Sequence, residues 1–152
     1  MQLIDDVDRP VDLGVLDSFA GYHLRRAAFA FGAHFAQAMQ TTKIRQVQFG
    51  ILSVVAANPG MNQGTVGRAL GIQRANMVTL INELVDRDLV ARSGSAGDRR
   101  VVALSLTTAG QTALADCLTL IAAHEEIMLA GLDAQDRERL TVLLNRIAAV
   151  GV

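Results

Sequence analysis

Apolar residues recur at helical spacing along most of this chain, and the breaks in that rhythm mark its elements. From Val15 to about Met39 no proline interrupts the pattern. Leu16, Phe19, His23, Ala27 and Ala30 fall on one stripe, and Tyr22, Phe29 and Ala33 on a second. One long helix with two packing neighbours is predicted there. The pattern restarts at TTKIRQVQ, and Val47, Ile51, Val54 and Val55 mark a helix ending before Asn58-Pro59-Gly60, a turn signal. Asn62 suits the N-cap of a short helix from Gln63 to Leu70, and Gly71 stands where a C′ residue belongs.

The clearest element follows. Met77, Leu80, Ile81, Leu84 and Val85 lie at i, i+3, i+4, i+7 and i+8, the signature of an amphipathic helix from about Arg74 to Arg87. Residues 89–92 and 100–106 are short apolar runs separated by a Gly/Ser-rich loop, which predicts a β-hairpin. Thr107 or Thr108 then caps a long helix to about Ala130. Gly131-Leu132-Asp133 breaks it, and Asp133 caps a last helix striped by Leu140, Leu143, Leu144 and Ile147. The predicted fold is mainly α with a small β-hairpin wing, and its centre is a winged helix-turn-helix.

Composition supports a packed core: 51% of the 152 residues are hydrophobic, and the mean hydropathy is +0.30. Surplus apolar surface on a chain this size points to a subunit interface or a ligand cavity. No run of about 18 apolar residues offers a membrane span. The acidic opening MQLIDDVDRP lacks the basic and apolar regions of a signal peptide. Cys117 is the sole cysteine, which excludes an intrachain disulfide and fits a reducing, cytoplasmic setting. A net charge of −1 conceals a basic middle. Lys43 to Arg100 holds eight Lys/Arg against four Asp/Glu, a net of +4, and the remainder has a net of −5.

That basic middle coincides with the predicted helix-turn-helix, whose turn is LGIQ, residues 70–73. In such a unit the second helix enters the DNA major groove and its N-terminal residues face base edges. Because the apolar stripe of the 74–87 helix faces the core, Ala75, Asn76 and Thr79 point away from it, and Gln73 and Arg74 lie at its exposed start. Gln and Asn pair with adenine, Arg with guanine, and Ala or a Thr methyl meets the thymine methyl. Gln63 and Arg68 of the short helix complete the expected DNA-binding face. In the hairpin loop, Arg100 is placed to enter a narrow minor groove, with Asp98 two residues away to orient its guanidinium. Arg99 is left to meet phosphate. Taken alone, the same loop reads as a solvated turn with a weak exposed ion pair, and only its position behind the helix-turn-helix favours the groove contact.

The stretch NPGMNQGTVGRALGIQRANMVTLINELVDRDLVARSGSAGDRRVVALSLTTAG, Asn58 to Gly110, resembles the MarR (multiple antibiotic resistance regulator) family of transcription factors. The family pattern comprises a positioning helix ending in LG, a recognition helix closing in L-x-x-x-x-L-V-x-R, a wing carrying D-x-R, and L-T-x-x-G. Here these correspond to Leu70-Gly71, Leu84 to Arg92 (with differences in detail), Asp98-Arg99-Arg100 and Leu106 to Gly110. The resemblance implies a homodimer bound to a palindromic operator on double-stranded DNA, acting as a repressor released by a small molecule. It also assigns the groove roles above to Arg100, Asp98 and the 74–87 helix. It divides the chain into a flexible acidic arm (1–14), an N-terminal dimerisation helix (15–42), a DNA-binding winged domain (43–107) and C-terminal dimerisation helices (108–152), one intertwined domain overall. Where many relatives carry Ser-Thr-Val-Thr-Arg in the recognition helix, this chain has Ala75-Asn76-Met77-Val78-Thr79, so the resemblance carries the fold and not the operator sequence. Peroxide-sensing members hold a reactive Cys near the first helix; Cys117, far along the chain, reads as a small buried hydrophobe.

Effectors of such proteins commonly sit between the dimerisation helices and the winged domain, and many are aromatic acids. Tyr22, His23, Arg26 and Phe29 on the first helix offer rings and cations for an aromatic acid or its acyl thioester, the extra arginines then meeting phosphate. The same aromatics at helical spacing also suit interface core. His23, His34 and His124 show no recognised metal-ligand spacing, so no metal or cofactor is expected. The absence of a phosphate loop, a nucleophile elbow or a carboxylate pair argues against an enzyme. The alternatives are a winged-helix interaction module without DNA binding, or a metal-responsive regulator.

Overall fold

The computed structural model describes residues 11–95 and 98–151, with Ser95, residues 98–101 and Gly151 described by backbone alone. Six α-helices and one hairpin appear among them: α1 (Ala20–Ala38), α2 (Gln46–Ala57), α3 (Gln63–Ala69), α4 (Arg74–Asp86), β1 (Val90–Ser95), β2 (Asp98–Leu106), α5 (Thr108–Met128) and α6 (Ala134–Ala148). No helix among the described residues is long and apolar enough to cross a membrane. The contacts divide the chain into two compact units, one up to Ala33 and one from His34 onward, so the division falls inside α1.

In the first unit the expected single helix from Val15 is broken. A 3-10 turn, Gly14–Ser18, precedes an extended Phe19, and α1 starts only at Ala20. The cause is local. The ring of His23 hydrogen-bonds to the Asp17 carbonyl at 2.9 Å, and the Ser18 hydroxyl donates to the Val15 carbonyl at 2.8 Å. Side chains thus take acceptors that a continuous helix would need for its own ladder.

The second unit has its core where α2, α4 and the hairpin meet. Ile51, Leu52, Val55, Val66, Met77, Ile81, Leu84, Val90 and Leu104 are essentially inaccessible to solvent. Met77, Leu80, Ile81 and Leu84, the predicted stripe of α4, all lie inside, with Val85 partly buried. The α3–α4 turn is a Schellman motif: Ile72 N–H donates to the Gly67 carbonyl at 2.8 Å and Gly71 N–H to Arg68 at 3.2 Å. Gly71 takes φ +65°, which a side chain adopts only with strain. Asn62 caps α3 by accepting from Thr65 N–H at 3.0 Å.

Arg87 closes α4, and Asp88 (φ +56°) with Leu89 repeats the same terminal motif. The hairpin runs further than its composition predicts. Strand pairing continues from Val90↔Leu106 through Gly94↔Val102 to Ser95↔Asp98, past one irregularity at Gly94/Ser95. The run of residues 93–99 predicted as a loop is therefore mostly strand, because the β-branched and apolar residues of β2 supply a ladder to which Ser93 and Gly94 need contribute only backbone. The other edge of β2 is anchored as well: Gly60 N–H donates to the Leu104 carbonyl at 2.8 Å, and Leu104 N–H to Met61 at 3.0 Å. Thr107 caps α5 by accepting from Gly110 N–H at 2.9 Å, and Asp133 caps α6 by accepting from Asp136 N–H at 2.8 Å.

Candidate nucleic-acid interface

Burial of Met77, Leu80, Ile81 and Leu84 turns the opposite side of α4 outward. Gln73, Arg74, Ala75, Asn76, Thr79 and Asn82 are all exposed on it. Val78 stands among them, 38% exposed. Gln73 occupies the N-cap with extended backbone and no side-chain cap, so the free N–H groups of the first turn face outward. This is the end of a helix that favours an anion.

Beside it lies an open groove of about 650 Å³ between α3, α4 and the hairpin. The α3 side contributes Asn62, Gln63 and Arg68; α4 contributes Arg74, Val78 and Asn82; the hairpin contributes Arg92 and Val102. Among the described residues three guanidinium groups line the groove and no carboxylate does. Such a trough concentrates positive potential and suits a polyanion. Gly67 forms part of its floor, where a Cβ would meet the Ile72 carbonyl and the Met77 side chain at 3.3 Å, a tight fit between α3 and α4.

Of the expected DNA-binding residues, Gln63, Arg68 and Arg74 come together in the groove, while Gln73, Ala75, Asn76 and Thr79 stand exposed on α4 next to it. Arg68 also donates to the Thr65 hydroxyl at 3.0 Å. Asp98, Arg99 and Arg100 open β2, but their side chains, and with them the expected Asp98–Arg100 pairing, lie outside the described residues. Asn82, Arg92, Val78 and Val102 also line the groove and are not among the residues the sequence singles out. Periodicity carried a signal for two of them. Asn82 continues the outward line of Ala75 and Thr79, and Arg92 shares the period-2 face of Val90.

The recognition-type helix is tied to the rest of its unit by polar contacts. Glu83 accepts from Gln48 Nε2 at 2.8 Å and pairs with Arg45, while Arg87 donates to the carbonyls of Lys43 at 3.0 Å and Thr42 at 3.3 Å. The partners of Glu83 and Arg87 all lie on the loop before α2 or on its first turn.

Of the expected effector residues, Tyr22, His23 and Arg26 cluster within the first unit. The guanidiniums of Arg25 and Arg26 lie 5.8 and 5.7 Å from the Tyr22 ring centroid, and His23 meets that ring edge-on at 5.5 Å. Phe29 is 79% exposed and stands as a bare aromatic surface. Cys117 is fully buried, and burial pushes its thiol up, a Thr42 hydrogen bond opposing the shift; thiolate chemistry is disfavoured there.

His34 and His124, ninety residues apart, meet with Nδ1 atoms 2.7 Å apart and rings stacked at 4.9 Å. Phe35 packs edge-on against His124. One nitrogen must donate and the other accept, so the pair shares a proton and two charges are disfavoured. Among the described residues no group of three or more His, Cys, Asp or Glu is placed to hold a metal ion.

Comparison with known proteins places this arrangement. The MarR family model matches residues 42–101. The chain is 33% identical over 128 residues, 84% of its own length and 77% of the relative's, to a protein assigned as the transcriptional regulator of the hcr operon in Thauera aromatica. The repressor CouR bound to a 23-mer DNA duplex superposes with a TM-score of 0.87 at 33% identity, covering 92% of this chain and 99% of that one. CouR bound to p-coumaroyl-CoA superposes at 0.80 and 32% identity, covering 91% and 98%.

Proposed function

The chain belongs to the MarR family of transcriptional regulators, and from that membership we propose that it is a homodimeric repressor that releases a palindromic operator when it binds an aromatic acid or its acyl thioester. The groove lined by Arg68, Arg74 and Arg92, with no carboxylate among its described residues and beside the uncapped start of α4, carries this reading, because its charge suits a phosphate backbone. The CouR–DNA structure supports it. In this reading α4 enters the major groove with Gln73, Arg74, Ala75, Asn76 and Thr79 toward base edges, and Gln63 and Arg68 meet the backbone. Arg100 probes the minor groove, oriented by Asp98, and Arg99 meets phosphate. The protein is then a cytoplasmic regulator and not an enzyme.

Residues 15–42 and 108–152 supply the dimer contacts in this proposal. Leu143 and Ile147, 44% and 56% exposed on α6, offer the apolar surface for it. The effector class is supported by CouR bound to p-coumaroyl-CoA and by the composition of α1. Tyr22, His23 and the exposed Phe29 suit an aromatic acyl group, and Arg25 and Arg26 suit its anionic carrier. Release follows from differential affinity. An effector that binds better to the dimer whose recognition helices are off the half-site spacing, about one helical turn of DNA, shifts the population away from the operator.

Fluorescence anisotropy on promoter fragments at two salt concentrations tests the DNA reading. Affinity is expected to fall steeply with salt through counterion release, and Arg100→Ala to weaken binding by about 1–3 kcal/mol. Salt-independent or absent binding would favour an interaction module instead. Titrating the bound complex with p-coumaroyl-CoA, p-coumarate and coenzyme A separately tests the effector. Release by the thioester or the acid supports the proposal; release by none of them removes the effector class but not the DNA reading.

A further inference from the structure

Arg92 stands on the wrong face of the hairpin for a charge. Strand alternation aligns it with Val90, which is buried, and its cross-strand partner is Leu104, also buried. Its stem therefore runs along the apolar face, and its guanidinium emerges into the groove against α4. There Arg92 donates to Asn82 Oδ1 at 2.7 Å. No carboxylate among the described residues meets it within salt-bridge distance.

The choice of a neutral partner matters. A carboxylate would fix the guanidinium but cancel its charge toward an anion. An amide oxygen fixes its direction and leaves the full charge available. The amide orientation is itself determined, because guanidinium has no acceptor and only Oδ1 can face it. Asn82 then turns its NH₂ outward. Asn82 and Arg92 together present only donors, the complement of phosphate oxygens, which are only acceptors.

We propose that Arg92 is a DNA phosphate contact and that Asn82 is its positioning residue, a bridge that holds the hairpin at a set distance from the recognition helix. The inference rests on the DNA-binding reading and goes further by assigning a charge-bearing contact and a charge-free one to the same site.

Salt dependence separates the two roles. With the full-length protein, anisotropy is measured across a salt series on an operator duplex and on an unrelated duplex of equal length. Arg92→Gln keeps the stem but removes the charge. It should weaken binding about tenfold on both duplexes and lower the slope of log affinity against log salt by about one. Asn82→Ala keeps the charge but frees it, so affinity should fall several-fold on both duplexes with the slope unchanged. Asn82→Asp keeps the hydrogen bond but neutralises Arg92, so the slope should fall as in Arg92→Gln. Thermal melting confirms that each variant is folded. An unchanged slope in Arg92→Gln overturns the phosphate contact. Wild-type affinity in Asn82→Ala overturns the positioning role, and a loss confined to the operator shows a base-edge contact and overturns the assignment to phosphate. If the wild-type protein shows no salt-dependent DNA binding, the DNA reading itself fails, and this result is distinct from all of the variant outcomes.

Discussion

Gln48 of α2 and Glu83 of α4 are joined by a hydrogen bond of 2.8 Å, Nε2 donating to Oε2. Gln48 is 3% exposed, and its own oxygen accepts from Arg45 N–H at 3.1 Å, so both ends of its amide are satisfied inside the unit. Arg45 also pairs with Glu83, but in an exposed position where an ion pair contributes little. The bond to the buried amide is the one that matters energetically.

Glu83→Ala is therefore expected to destabilise the protein by about 1–3 kcal/mol, because Gln48 Nε2 loses its acceptor while remaining buried. Glu83→Gln keeps an acceptor and should cost less. Urea denaturation of both variants checks the order; equal stabilities would show that the exposed charge, not the buried amide, governs the contact.

Gly110 lies on the Leu89 carbonyl so closely that a Cβ would sit 1.9 Å from its oxygen. Both groups are backbone and neither can rotate away. Gly110→Ala should cost on the order of 3 kcal/mol and lower the Tm by several degrees. A melting temperature within a degree of wild type would contradict the packing at the α5 start.

His124 is held below its ordinary pKa, first by burial and then by the charge of His34. The folded state favours neutral imidazole, so the unfolded chain takes up the proton first, near pH 6.5. The stability that follows from this is fully present above that pH and is lost as pH falls through the folded-state value. Denaturation curves between pH 5 and 7.5 should show stability falling toward acid, with a shallower fall in His124→Gln. Identical pH profiles for the two proteins would remove His124 as the source.

Leu143 and Ile147 lie one turn apart on the outer side of α6, with Leu144 beside them. If they form the dimer contact, Leu143→Glu with Ile147→Glu should shift sedimentation from dimer to monomer and abolish operator binding, since two half-sites need two recognition helices. A variant that still sediments as a dimer would move the interface elsewhere.

Much of this architecture is legible in the chain itself. The α4 stripe, the Asn62, Thr107 and Asp133 caps and the Gly71 turn were all readable, because each depends on residues within a turn or two of one another. The break before α1 and the length of the hairpin are not legible there, for the same reason in reverse. His23 captures the Asp17 carbonyl, and β2 recruits Ser93 and Gly94 into its ladder, choices that propensity alone does not record.

The candidate site divides along the same line. Helical period alone predicts that Gln73, Arg74, Ala75, Asn76 and Thr79 face outward from α4. That Arg68, Arg74 and Arg92 share one groove, that Asn82 holds Arg92, that Gln48 satisfies Glu83, and that His34 meets His124 required the packed chain. These pairs lie on different elements, and their distances are set by how helices and hairpin close around a common core, a long-range condition that no local pattern encodes.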